Sequence, residues 1–91
     1  MKRYHIIVKG RVQGVGFRYH AKYAAMKTNI TGWAKNLDNG DVEIEAQGEN
    51  NFLESFIKLL EKGNGFAKVT SLRKTEIPLI TKEKSFNAVY Y

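Results

Sequence analysis

Along the first positions of the chain, Tyr4, Ile6 and Val8 alternate with His5, Ile7 and Lys9, which is the two-residue period of a strand. We assign residues 4–11 to a first strand. From residue 18 to 28 the period changes. Phe17, Ala21, Ala24, Ala25 and Thr28 recur at helical spacing, with Arg18, His20, Lys22 and Lys27 between them. The alanines predict a helix that lies close to a sheet. Two further strand-like runs, 30–37 and 41–47, flank Asp38-Asn39-Gly40. Asn-Gly in that position predicts a hairpin in which Asn39 and Gly40 both take positive φ. In its second arm Val42, Ile44 and Ala46 alternate with Glu43, Glu45 and Gln47, so the sheet has one buried and one wet face. A second helix follows, with Asn51 and Glu54 expected as N-cap and third-position partner. Its stripe is Phe52, Leu53, Phe56, Ile57, Leu59 and Leu60, and Gly63 and Gly65 end it. Phe66 to Thr75 reads as a strand with a bulge, because Val69 and Leu72 otherwise fall on opposite faces. Pro78 marks a loop, and Ser85 to Tyr90 reads as the last strand.

The resulting order is βαββαβ with the final strand region split in two. Two helices on one face of an antiparallel sheet make a ferredoxin-like α+β sandwich. Ninety-one residues without a linker, repeat or low-complexity stretch predict a single domain, residues 1–91. The chain has no cysteine, which excludes disulfides, thiolate metal sites and a cysteine nucleophile, and fits a reducing compartment. The apolar run after Lys2-Arg3 is too short for a signal peptide, and no run approaches a membrane span. The expectation is a cytoplasmic protein, monomeric and not bound to membrane. Charge changes the picture more. Eight of the fifteen Lys and Arg residues, and none of the nine Asp and Glu, lie in the first 37 positions. Lysines that serve only solubility do not predict that segregation, whereas an anionic ligand near the first strand and helix does.

The basic half contains the run Gly10-Arg11-Val12-Gln13-Gly14-Val15-Gly16-Phe17-Arg18, between the first strand and the first helix. Glycine permits positive φ, so successive N–H groups can turn into one concavity, to which a following helix N-terminus adds positive potential. Arg18 at the junction offers a planar fork that is permanently charged and suits phosphate oxygens. The stretch lacks G-x-x-x-x-G-K-[ST], so it is not a Walker A loop. It also lacks the third glycine of a dinucleotide fingerprint, Tyr19 standing there instead. Two readings remain from the residues alone: a cradle for a small phosphate dianion, or a turn whose glycines serve geometry.

The run GRVQGVGFR, with GWAKNLDNGDVEIEAQG at residues 32–48, resembles the two signature segments of the acylphosphatase family, and the resemblance extends to the closing FNAVYY. The resemblance implies the ferredoxin-like fold and hydrolysis of acyl phosphates without metal, other cofactor or phosphoenzyme. It implies that Arg18 binds the substrate phosphate and that Asn36 orients the attacking water. It further implies that the N–H groups of Gln13, Gly14, Val15, Gly16, Phe17 and Arg18 form the phosphate-binding loop. The implied partners are an acyl phosphate substrate and inorganic phosphate as product. Two positions depart from the family pattern: Gly16, where other small residues also occur, and Asn64-Gly65, where a proline-containing turn is often seen.

The chemistry agrees with such a lean site. An acyl phosphate leaves as a carboxylate, whose conjugate acid has a pKa of about 4, so departure needs little protonation. Phosphoryl transfer then asks mainly for positioning and charge stabilisation. An alkoxide leaving group would want a general acid or metal ion, and these segments carry no evident carboxylate pair or metal cluster. A solitary asparagine before a hairpin is more often a turn residue, but a cation in a helix's first turn opposes the helix dipole and asks for another reason. His5 and His20 read as ordinary surface or sheet residues, Trp33 and the five tyrosines as packing, and Phe17 as a core residue. Two other readings compete. One is a non-catalytic domain that binds phosphate or carbamoyl phosphate; because the sequence ends at Tyr91 with nothing attached, a free-standing enzyme is expected instead. The other is an RNA-binding module, against which Glu43 and Glu45 on the sheet argue.

Overall fold

A computed structural model describes residues 1–90. Its elements are β1 (Lys2–Arg11), α1 (Phe17–Thr28), β2 (Thr31–Asn36), β3 (Val42–Gly48), α2 (Asn50–Lys62), β4 (Lys68–Ile77) and β5 (Phe86–Val89). They form the expected ferredoxin-like α+β fold, a five-stranded sheet of order β4-β1-β3-β2-β5 with both helices on one face. Tyr91, the last residue of the closing run, lies outside the described residues.

The alternation in β1 and β3 sorts the two faces. Ile6 stands opposite Ile44 and Val8 opposite Val42, and all four are buried beneath the helices. Phe17, Ala21, Ala24 and Ala25 of α1 and Leu53, Phe56, Ile57 and Leu60 of α2 complete that core. The predicted bulge in the fourth strand is present. The β1–β4 register steps from Lys9–Ser71 to Gly10–Val69, skipping Thr70, so Val69 and Leu72 both pack against the core. No helix among the described residues is long and apolar enough to cross a membrane.

Three local features differ from the sequence reading. The sheet is antiparallel through β1–β4, but β5 joins the far edge parallel to β2, from Gly32–Phe86 to Lys35–Val89. Reaching that edge from β4, at the opposite side, requires the 78–85 connection to pass the other strands, a long-range feature that local periodicity does not encode. Helix α2 starts two residues earlier than expected. Its N-cap is Glu49, without a side-chain cap bond, and Asn51 lies inside the helix. A cap contributes only about 1 kcal/mol, so packing of the apolar stripe sets the start. In the hairpin only Gly40 has positive φ, at 96°, because Asn39 uses its side chain instead. Its Oδ1 accepts the Asp41 N–H at 3.0 Å and its Nδ2 donates to Asp41 Oδ2 at 3.1 Å. The turn closes with Gly40 N–H to the Leu37 carbonyl and Leu37 N–H to the Asp41 carbonyl, a type I turn followed by a glycine.

On the face away from the helices, Arg3 is 1% exposed. It donates to Glu45 at 2.8 Å, to Gln47 at 3.2 Å and to both carboxylate oxygens of Glu83 at 2.8 and 3.3 Å. Gln47 exchanges two hydrogen bonds with the backbone of Ile80. These contacts bind the 78–85 connection to the sheet.

Candidate active site

The connection between β1 and α1 is held from outside. The Gln13 side chain donates to the carbonyls of Leu37 and Asp41, at 2.7 and 2.8 Å, fixing the loop to the β2–β3 hairpin. Lys9 Nζ reaches Asp41 Oδ2 at 2.6 Å from the end of β1. Gly14 and Gly16 both take left-handed conformations, φ 72° and 75°. That costs glycine little and an L-residue with a Cβ considerably more. Gly16 is the N-cap of α1, and no side chain caps this helix. Among the described residues no backbone carbonyl accepts from the N–H groups of Gln13 to Arg18. A loop of unpaired N–H groups leading into an uncapped helix N-terminus attracts an anion.

One pocket of about 220 Å³ opens over this loop, lined by Val12, Gly14, Gly16, Phe17, Arg18, Tyr19, Asn36 and Tyr90. Its size suits a small anion rather than a large organic ligand. It brings together Gly14, Gly16, Phe17, Arg18 and Asn36 of the predicted site residues. Gln13 and Val15 do not line it; the Gln13 side chain is spent on the hairpin, and Val15 packs against the core. Phe17 is 1% exposed, as expected of a core residue.

The Arg18 guanidinium is held by uncharged groups. Its Nη1 donates to the Val89 carbonyl at 2.9 Å, and its Cζ lies 3.9 Å from the centre of the Tyr90 ring. Among the described residues no carboxylate pairs with it. Asn36, the last residue of β2, has a buried Oδ1 with no hydrogen-bond partner among the described residues. A buried acceptor left so costs about 1–3 kcal/mol unless water or a ligand donates to it.

The acylphosphatase family model matches residues 4–88. The chain belongs to the acylphosphatase family. The acylphosphatase of Clostridium beijerinckii is 52% identical to it over 90 residues, 99% of this chain and all of that protein. The crystal structure of the acylphosphatase from Bacillus subtilis superimposes with a TM-score of 0.93 at 47% identity, covering 99% of this chain and 100% of that one. The acylphosphatase of Coxiella burnetii gives 0.88 at 34% identity, over 97% and 92% of the two chains.

Against this acylphosphatase fold, three residues of the pocket were not among the expected site residues: Val12, which is buried in the core, and Tyr19 and Tyr90. Tyr19 and Tyr90 were expected to pack; instead they are 67% and 56% exposed, and their ring centres stand 6.3 Å apart at the pocket. Tyr19 could have been found, since it follows Arg18 directly. Tyr90 could not, because only the placement of β5 beside β2 carries it to Arg18. Neither histidine lines the pocket. His5 Nε2 lies 2.7 Å from Glu43 on the open face, and the His20 ring donates to the Leu59 carbonyl at 2.7 Å, tying α1 to α2. No group of three or more His, Asp or Glu among the described residues is placed to hold a metal ion.

Proposed function

We propose that this chain hydrolyses the carboxyl–phosphate bond of acyl phosphates, with the phosphate held by the N–H groups of Gln13 to Arg18 and by the Arg18 guanidinium, and the attacking water held by Asn36. The family supplies the reaction. The observation that supports the assignment of roles is the pocket that Gly14, Gly16, Arg18 and Asn36 line together.

The phosphate oxygens take the inward N–H donors and the free arms of the guanidinium, which neutralise charge on the equatorial oxygens as the phosphorus–oxygen bond lengthens. A water donates one hydrogen to Asn36 Oδ1, which leaves a lone pair for phosphorus. An amide is no base, so Asn36 aims the water without deprotonating it. The water oxygen bonds to phosphorus opposite the departing group, and the carboxylate leaves with the bonding pair. The water's proton passes to the phosphate product. The low basicity of the carboxylate removes the need for a general acid. The reading is of an enzyme that needs no metal and acts as a monomeric single domain in the cytoplasm, without nucleic acid. Its wet sheet face supports the last point, since Glu43 and Glu45 lie there beside His5 and Arg3.

The test is hydrolysis across a panel of acyl phosphates and phosphomonoesters with chelator present. Turnover of benzoyl phosphate that survives the chelator, with phosphomonoesters left intact, is expected. Binding of acyl phosphate without turnover would indicate a non-catalytic domain.

A further inference from the structure

Asn64, in the connection between α2 and β4, reaches the site loop from outside the motif. Its Nδ2 donates to the Val15 carbonyl at 2.8 Å. Its Oδ1 accepts the N–H groups of Phe66 and Ala67, at 3.0 and 2.9 Å. Because two N–H donors face one end of this amide, that end is the oxygen, and the nitrogen is left for Val15. The amide is thereby locked at both ends.

The consequence runs through one peptide plane. In a trans peptide the carbonyl of one residue and the N–H of the next point in opposite directions. With the Val15 carbonyl pinned toward Asn64, the Gly16 N–H faces away from Asn64. Nothing in the loop's own sequence enforces this. Gly16 accepts either sign of φ, and a rotation of the Val15–Gly16 plane would exchange N–H for carbonyl. A carbonyl oxygen turned inward would repel a phosphate where an N–H attracts it. We infer that Asn64 is a positioning residue for the phosphate site, holding the Val15–Gly16 peptide with its N–H toward the anion. This rests on the phosphate-loop reading above, and adds to it a residue 49 positions from Val15 that touches no substrate.

The test is an amide NMR titration with inorganic phosphate on the wild type, Asn64→Asp and Asn64→Ala, with a thermal melt of each. Asn64→Asp keeps an acceptor for Phe66 and Ala67 but replaces the donor to Val15 with a negatively charged oxygen. Asn64→Ala adds no charge but removes the acceptor for Phe66 and Ala67 together with the donor to Val15. In the wild type, the Gly14, Gly16 and Arg18 amides should shift on phosphate addition. In both variants the Gly16 response should shrink while that of Arg18 persists, with phosphate bound roughly two- to tenfold more weakly. A Gly16 response and affinity equal to wild type in the folded variants would overturn the role of Asn64. Loop amides in the wild type that ignore phosphate would overturn the loop reading, and this inference with it. Should Asn64→Asp not fold, Asn64→Ala gives the same answer.

Discussion

Two arginines, one at the start of β1 and one in the first turn of α1, show how surroundings decide what a guanidinium does. Arg3, at the start of the strand, is buried and bonded to Glu45, Gln47 and Glu83. Burial alone would lower its pKa, but the hydrogen bonds and charges of Glu83 and Glu45 outweigh that and hold it above the ordinary arginine value. Arg18, beyond the end of the same strand, meets one backbone carbonyl and one aromatic ring. Arg3 has its charge cancelled and serves as a rivet. Among the described residues Arg18 is held in place by neutral groups, which leave its field for an anion brought into the pocket. A carboxylate beside Arg18 would position it equally well and compete with the substrate.

The contrast can be broken most sharply at Arg18 itself. Arg18→Ala should lower kcat/KM for benzoyl phosphate by ~10²–10³ or more, with a thermal midpoint near wild type, as for loss of a charged transition-state donor. Arg18→Lys should recover little, because an ammonium lacks the bidentate fork. Arg3→Ala should do the reverse. Removing one partner of a buried ion pair costs about 3–5 kcal/mol. For a chain of this size that lowers the melting temperature by more than ~10 °C, while kcat/KM of the folded fraction stays near wild type. Since folding raises the Arg3 pKa, its contribution is complete below the unfolded arginine pKa and fades only as pH rises through the folded value, in strong alkali. Melting curves across the neutral range should therefore show no loss from Arg3 deprotonation. Asn36→Ala should lower kcat by about 10- to 100-fold and leave phosphate inhibition nearly unchanged, since the amide is assigned to the water. Tyr90→Ala should have the smallest effect, a few-fold rise in KM as the guanidinium loses a stacking contact of about 0.5–1 kcal/mol.

The same contrast separates what the sequence made legible from what it did not. The loop and Arg18 could be read from glycine spacing and charge at a strand–helix junction, where such signals act locally, whereas Asn36 was singled out only by the resemblance to the acylphosphatase family. The bulge in β4 was readable locally as well: two apolar side chains needed one face. Burial of a charged residue was not. Arg3 sits beneath the connection only because Glu83, 80 residues away, reaches it. The parallel edge strand, the Val89 carbonyl that holds Arg18 and the Asn64 amide at Val15 are likewise made by tertiary contact. At Asn39 a side-chain hydrogen bond to the Asp41 N–H takes the place of the expected left-handed backbone.

The most direct measurement is a calorimetric titration with inorganic phosphate of the wild type, Asn36→Ala and Arg18→Ala, each shown to be folded. One phosphate per chain for the first two, with binding lost in Arg18→Ala, is the predicted result. Phosphate bound by Arg18→Ala as tightly as by the wild type would contradict the account.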